Sequence, residues 1–162
     1  MRLPRWDIMN RVFLVGLGLI TVFAWSDAEN LRGLKQLDDG TGSLWTVFGA
    51  TIQPAILATW FAAIAAIAIV WYLVTHDRSE ALALFVVPAI LLGFGWEDTL
   101  YFVFSPDTLA DVGCYADQIP GVRIASDILQ EACPTATSLI LANILGGFLA
   151  LKTYGFLQRL RP

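Results

Sequence analysis

The sequence predicts an all-α, polytopic membrane protein built as a four-helix transmembrane bundle. Three observations predict it. Residues of the set AVILMFWYC make up 57% of the 162 residues, against roughly 45–50% for a soluble average that also counts glycine. Charged residues are only 15%, where about 25% is usual. The apolar residues also come in four unbroken runs, not in the alternation of a membrane barrel. A soluble fold of this size has too little interior to hide so much apolar surface. The composition excludes disorder, a disulfide scaffold and a coiled coil. The net charge of −4 excludes a basic nucleic-acid binder, so the expected partner is the lipid bilayer.

A helical span needs about 20 residues, and helices satisfy their own backbone hydrogen bonds in lipid. Four spans are expected in a single membrane domain, residues 1–162: about 11–25, 47–74, 81–104 and 137–157. Residues 26–46 and 105–136 form outer loops. The first span has signal-peptide features, with Arg2, Arg5 and Arg11 ahead of an apolar core and Ala24-Trp25-Ser26 behind it. It is read as a retained span.

Arginine and lysine orient the chain. Arg2, Arg5, Arg11, Arg78, Lys152, Arg159 and Arg161 fall on one side, together with both termini. That side is predicted to be cytoplasmic and the membrane to be the plasma (inner) membrane. The other side holds Arg32, Lys35 and Arg123, with Asp27, Glu29, Asp38, Asp39, Asp107, Asp111, Asp117, Asp127 and Glu131. Trp25, Trp45 and Trp71 fall near the interfaces, where indole prefers to sit.

In the first outer loop, Leu31, Leu34 and Leu37 recur between charges, as in a short helix lying on the membrane. The second holds both cysteines, Cys114 and Cys133, which an oxidising exterior would join. Closing that loop contributes ~3 kcal/mol in the chain-entropy model. Ser126–Glu131 reads as a short helix capped by Ser126 or Asp127.

Glu97 and Asp98 carry the chemistry. They stand seven and six residues before Phe104, inside the third span. In a straight helix Glu97 is roughly 10 Å below the outer edge. A carboxylate in hydrocarbon costs about 2.5–3.5 kcal/mol even on lenient scales, and such residues mark function. No lysine or arginine lies at that depth. Either protons or a bound cation must then offset the charge.

Thr21, Gln53 and Asn143 fall at matching depth in the other spans, and Tyr101 follows Glu97 by one helical turn. Together with Trp96 they outline an outward-facing polar pocket, with Thr51 and Ser138 at its mouth. Pro54 would free a backbone carbonyl for a cation. Gly93, Gly95 and Pro88 make the third helix a candidate for bending. The plain structural alternative is interhelical hydrogen bonding by Gln53 and Asn143, and close packing at Ala58, Ala62, Ala66 and Gly146-Gly147.

Other chemistries find no support. His76 is the one histidine, so neither a bis-histidine haem nor a zinc site of usual composition can form in one chain. No mid-span lysine offers a retinal-type Schiff base, and no phosphate-cradling loop occurs. The sequence identifies no cofactor and no metal site. Trp6-Asp7-Ile8-Met9 resembles part of a calcium-uniporter pore signature, with Asn10 where that pore needs glutamate. Gly95-Trp96-Glu97-Asp98-Thr99-Leu100-Tyr101-Phe102 resembles the paired-acid, paired-aromatic motif of membrane lycopene cyclases, with Gly95 in place of proline. That resemblance implies acid chemistry on an isoprenoid, with Trp96, Tyr101 and Phe102 steadying a carbocation.

The leading functional expectation is an intramembrane acidic pocket for a cation, a proton or an amine-bearing ligand, with transport in a homo-oligomer as its extension. An intramembrane enzyme acting on a lipid or isoprenoid is the second. A non-catalytic subunit of a larger membrane complex is the third.

Overall fold

The computed structural model describes residues 5–37, 53–105, 116 and 118–160, with side chains described from residue 11 to 32 and from 55 onward within those ranges. Six helices are described: α1 (Arg5–Leu37), α2 (Gln53–Thr75), α3 (Arg78–Gly93), α4 (Trp96–Phe104), α5 (Pro120–Leu129) and α6 (Ala136–Arg159). No strand occurs among the described residues. Among the described residues three helices are long and apolar enough to cross a membrane, or up to four if the bent pair α3–α4 counts as one span.

The first and third spans differ from their expected bounds for a physical reason. The first does not stop at Trp25. Residues 26–37 continue α1 because Ala28, Glu29, Leu31, Arg32, Leu34 and Lys35 are good helix formers and no proline intervenes. The leucines expected in a separate surface helix therefore extend the same rod. At 33 residues α1 is about 50 Å long, well beyond the ~30 Å of hydrocarbon.

The third span, expected at 81–104, is broken. α3 ends at Gly93, and α4 leaves at 69° to it. The break falls at Phe94-Gly95, where Gly95 takes φ +77°, and not at Pro88, which stays inside α3. Pro88 is buried, and a Cβ on Gly16 of α1 would come 3.1 Å from its ring. The second and fourth spans begin at Gln53 and Ala136. α5 begins at Pro120 with Ile119 as its N-cap, not at Ser126; proline at the first position presets the helical φ.

α3 lies at the centre, packed on α1, α2 and α6. Val12, Ile20, Leu84, Val87, Leu91, Ala150 and Tyr154 form its main core. α2 buries Trp60, Ile64 and Ala68, spaced by four, and Phe23 of α1 stacks on Trp60 at 4.8 Å. The expected small-residue contact at Ala58, Ala62 and Ala66 is not made: these alanines are exposed, a quarter-turn and more from the packed face. The glycine pair fares otherwise. Gly146 receives Phe94, and Gly147 touches Trp96.

One end of the molecule gathers the start of α1, the α2–α3 turn and the end of α6. The Phe13 and Tyr154 rings meet edge-on at 6.1 Å, and the Ser79 hydroxyl donates to the Leu157 carbonyl. Arg11, Arg78 and Arg159 thus share an end. At that end the Trp71 indole N–H donates to buried Glu80 at 3.0 Å and fastens α2 to α3.

Candidate functional site

The 69° corner changes the depth at which the acids sit. If α3 follows the membrane normal, its 16 residues cover about 24 Å, and inclined α4 adds only about 5 Å. Glu97 and Asp98, in the first turn of α4, then lie a few ångströms inside the nearer hydrocarbon boundary and not the ~10 Å of a straight helix. Their burial comes from protein. Glu97 is only 8% exposed, because α1 lies along α4. Gly95 caps α4 without a side-chain bond, so the amides of the first turn present positive dipole to the two carboxyls.

α1 brings a third acid. Asp27, expected in the outer loop, is helical and half-buried, within electrostatic reach of both Glu97 and Asp98. None of the three carboxyls has an ion pair among the described residues. Arg32, five residues along the same helix, is taken by Glu29 at 2.7 Å and by the Phe104 carbonyl at 3.2 Å. Oε1 of Glu97 is buried with no hydrogen-bond partner. A buried carboxylate oxygen ordinarily has one.

The helix spacing held the signal for Asp27. Gly16, Ile20 and Ala24, with Val12 before and Ala28 after, are buried at intervals of four, and Phe23 extends the same face. Asp27 continues that face one turn beyond Phe23. Reading residues 26–46 as a loop hid it.

The expected pocket residues divide. Trp96 and Asn143 come together directly: the indole N–H donates to the Asn143 carbonyl at 3.0 Å. The Asn143 amide donates to Thr99 Oγ1 at 2.8 Å and to the Leu139 carbonyl at 2.7 Å. Thr99, not singled out from sequence, donates in turn to the Gly95 carbonyl at 3.2 Å. These bonds pin α4 to α6. They fit the plain structural alternative for Asn143. Replacing Asn143 by leucine is expected to cost about 0.5–1.5 kcal/mol, the range of interhelical hydrogen bonds in membranes. Unfolding in mixed micelles measures it. The Trp96 bond uses the backbone carbonyl, so indole fluorescence should stay unchanged.

Tyr101 is buried one turn beyond Glu97, its ring edge-on to Phe102 at 5.3 Å. Thr21 donates to its own helix, at the Leu17 carbonyl. Ser138 completes the capping box of α6 with Thr135. Gln53 opens α2, and its side chain lies outside the described residues, as does Thr51. Cys133 is not a free thiol; Cys114, its expected mate, lies outside the described residues.

An apolar cavity of about 410 Å³ lies beside Trp96, walled by Phe13, Leu17, Leu91, Trp96, Asn143 and Phe148 among others. Neither Glu97 nor Asp98 lines it. Among the described residues no three His, Cys, Asp or Glu side chains converge as metal ligands would. No family model matches the chain, and no curated protein or solved structure matches it significantly.

Proposed function

We propose that this is a multi-pass protein of the plasma (inner) membrane, with cytoplasmic termini, whose acidic site takes a proton or an amine-bearing cation near the outer face. One observation carries the reading: Glu97 Oε1 is buried without a partner in a three-carboxyl cluster that no basic side chain among the described residues neutralises. An ammonium group supplies both missing elements, a positive charge and N–H donors. The loose arrangement of the carboxyls favours such a ligand over a chelated divalent ion.

The enzyme alternative is weaker. Acid chemistry on an isoprenoid needs the carboxyl at the wall of an apolar cavity, and the cavity beside Trp96 is not lined by Glu97 or Asp98. Coupling of binding to transport would require a homo-oligomer, because four spans leave little interior for a path within one subunit. The Cys114–Cys133 disulfide belongs to the same proposal, tying the outer loop over the site.

Calorimetry of the detergent-solubilised chain with butylammonium chloride tests the reading. Saturable binding is expected at pH 8. It should weaken as pH falls, since protons compete for the same oxygens. Glu97→Gln and Asp98→Asn should each weaken it about tenfold or more, the worth of a charge-assisted hydrogen bond. Equal binding by wild type and Glu97→Gln would refute the acidic site.

A further inference from the structure

The acidic site makes no use of the cavity beside Trp96. α1 and α6 both pack on α3 and hardly on each other. They meet where the Phe13 and Tyr154 rings touch, and the cavity lies in the gap that remains. Leu91 of α3 and Trp96 of α4 complete its wall. Its volume of about 410 Å³ falls within the ~300–1,000 Å³ typical of ligand sites. Two wall residues, Ile144 and Phe148, are 63% and 61% exposed, so the cavity is reached from the apolar face of α6. Packing does not demand the empty space. A Cβ on Gly147, in the cavity wall, would stand 3.4 Å from Trp96 Cζ2, an ordinary contact, whereas on neighbouring Gly146 it would overlap Phe94. Gly146 is needed for the fold to close. Gly147 is not, and its missing side chain leaves room.

The polar groups of the wall are one-sided. The Trp96 indole N–H is spent on the Asn143 carbonyl. The Asn143 amide hydrogens are spent on Thr99 Oγ1 and the Leu139 carbonyl. Asn143 Oδ1, in contrast, accepts no hydrogen bond among the described residues and is not sealed in protein. A side-chain amide oxygen has two lone pairs to offer. The described wall therefore presents one free acceptor and no free side-chain donor, among the aromatic rings of Phe13, Trp96 and Phe148.

We propose that this cavity binds a lipid-soluble phenol. The phenol hydroxyl donates to Asn143 Oδ1. The ring packs among Phe13, Trp96 and Phe148, where offset or edge-on aromatic contacts add to burial. The occupant is chosen by the direction of its hydrogen bond. A ketone, quinone or ether brings acceptors alone and meets Asn143 Oδ1 with no proton between them. A plain acyl chain leaves that oxygen unpaired. The proposal is independent of Glu97, Asp98 and Asp27.

The test is equilibrium dialysis of the detergent-solubilised chain with three probes, each read against its uptake by empty micelles. The probes are 4-hexylphenol, its methyl ether 4-hexylanisole, and 4-hexylcyclohexanol, which keeps the hydroxyl without the aromatic ring. Wild type is expected to bind the phenol about fivefold more tightly than the ether, the worth of one neutral hydrogen bond. The alcohol should fall about threefold below the phenol for want of aromatic contacts. Asn143→Leu removes the acceptor and should bring phenol and ether to parity. Gly147→Leu fills the cavity from α6 and Leu17→Trp from α1, and each should weaken all three probes about tenfold or more. Unfolding in mixed micelles checks that Gly147→Leu is no less stable than wild type, as a filled cavity requires. Equal binding of phenol and ether by wild type would mark a plain lipid groove and overturn the proposal. So would an alcohol bound as tightly as the phenol, a preference that survives Asn143→Leu, or binding untouched by both filling variants.

Discussion

Gly146→Ala is expected to destabilise the chain by about 1–3 kcal/mol, the usual cost of overpacking a tight contact, and at the upper end of that range. The added Cβ would overlap the Phe94 Cβ and stand 2.7 Å from its Cγ. Gly121→Ala meets the same residue from α5, with the new Cβ 2.7 Å from the Phe94 Cα, which cannot rotate away. Phe94 is therefore held between glycines of two helices at the corner where α3 gives way to α4. Truncating it tests the geometry further. Phe94→Ala should not rescue Gly146→Ala, because alanine keeps the Cβ that is in conflict. Unfolding in mixed micelles reads all three variants. A Gly146→Ala protein as stable as wild type would mean that the corner is not packed this way.

Asp27→Asn is expected to weaken butylammonium binding about tenfold, the loss assigned to one charged hydrogen-bond partner. This residue separates a shared site from a pair of acids that happen to begin a helix. It lies on α1, about 70 residues away in sequence, yet acts electrostatically on both Glu97 and Asp98. Glu29→Gln is the control. It removes an exposed acid two residues along, one already paired with Arg32, and should change binding less than twofold. Equal effects of the two substitutions would reduce the result to loss of general negative charge and remove α1 from the site.

Hydropathy made the helices legible, and helix-breaking residues made one of the two largest departures legible in part. Gly93 and Gly95 marked a possible bend in the third span, yet nothing local fixes an angle of 69°. That angle is set by tertiary contacts: Phe94 against Gly121 and Gly146, and Gly95 against Leu139 and Val122. Those partners lie on helices far along the chain. The other departure, the extension of α1, was hidden by polarity. Charged residues at 27, 29, 32 and 35 suggested a loop, whereas in a helix they alternate with an apolar face that keeps its spacing. The pairing of Asn143 with Thr99 was out of reach for the same reason as the angle. Matching depth brought Asn143 into consideration, but the turn of α4 decided which neighbour it met.

The seat of Phe94 has a consequence for how the protein is made. Phe94 leaves the ribosome some fifty residues before Gly146 does. At ordinary translation speeds of about 5–20 residues per second the ring waits roughly 3–10 s for its last partner. Released chains that stop at residue 135 should therefore be cleaved by protease near Phe94, and released chains that run to residue 162 should resist. During that interval the ring lacks the cover that α6 gives it in the finished molecule.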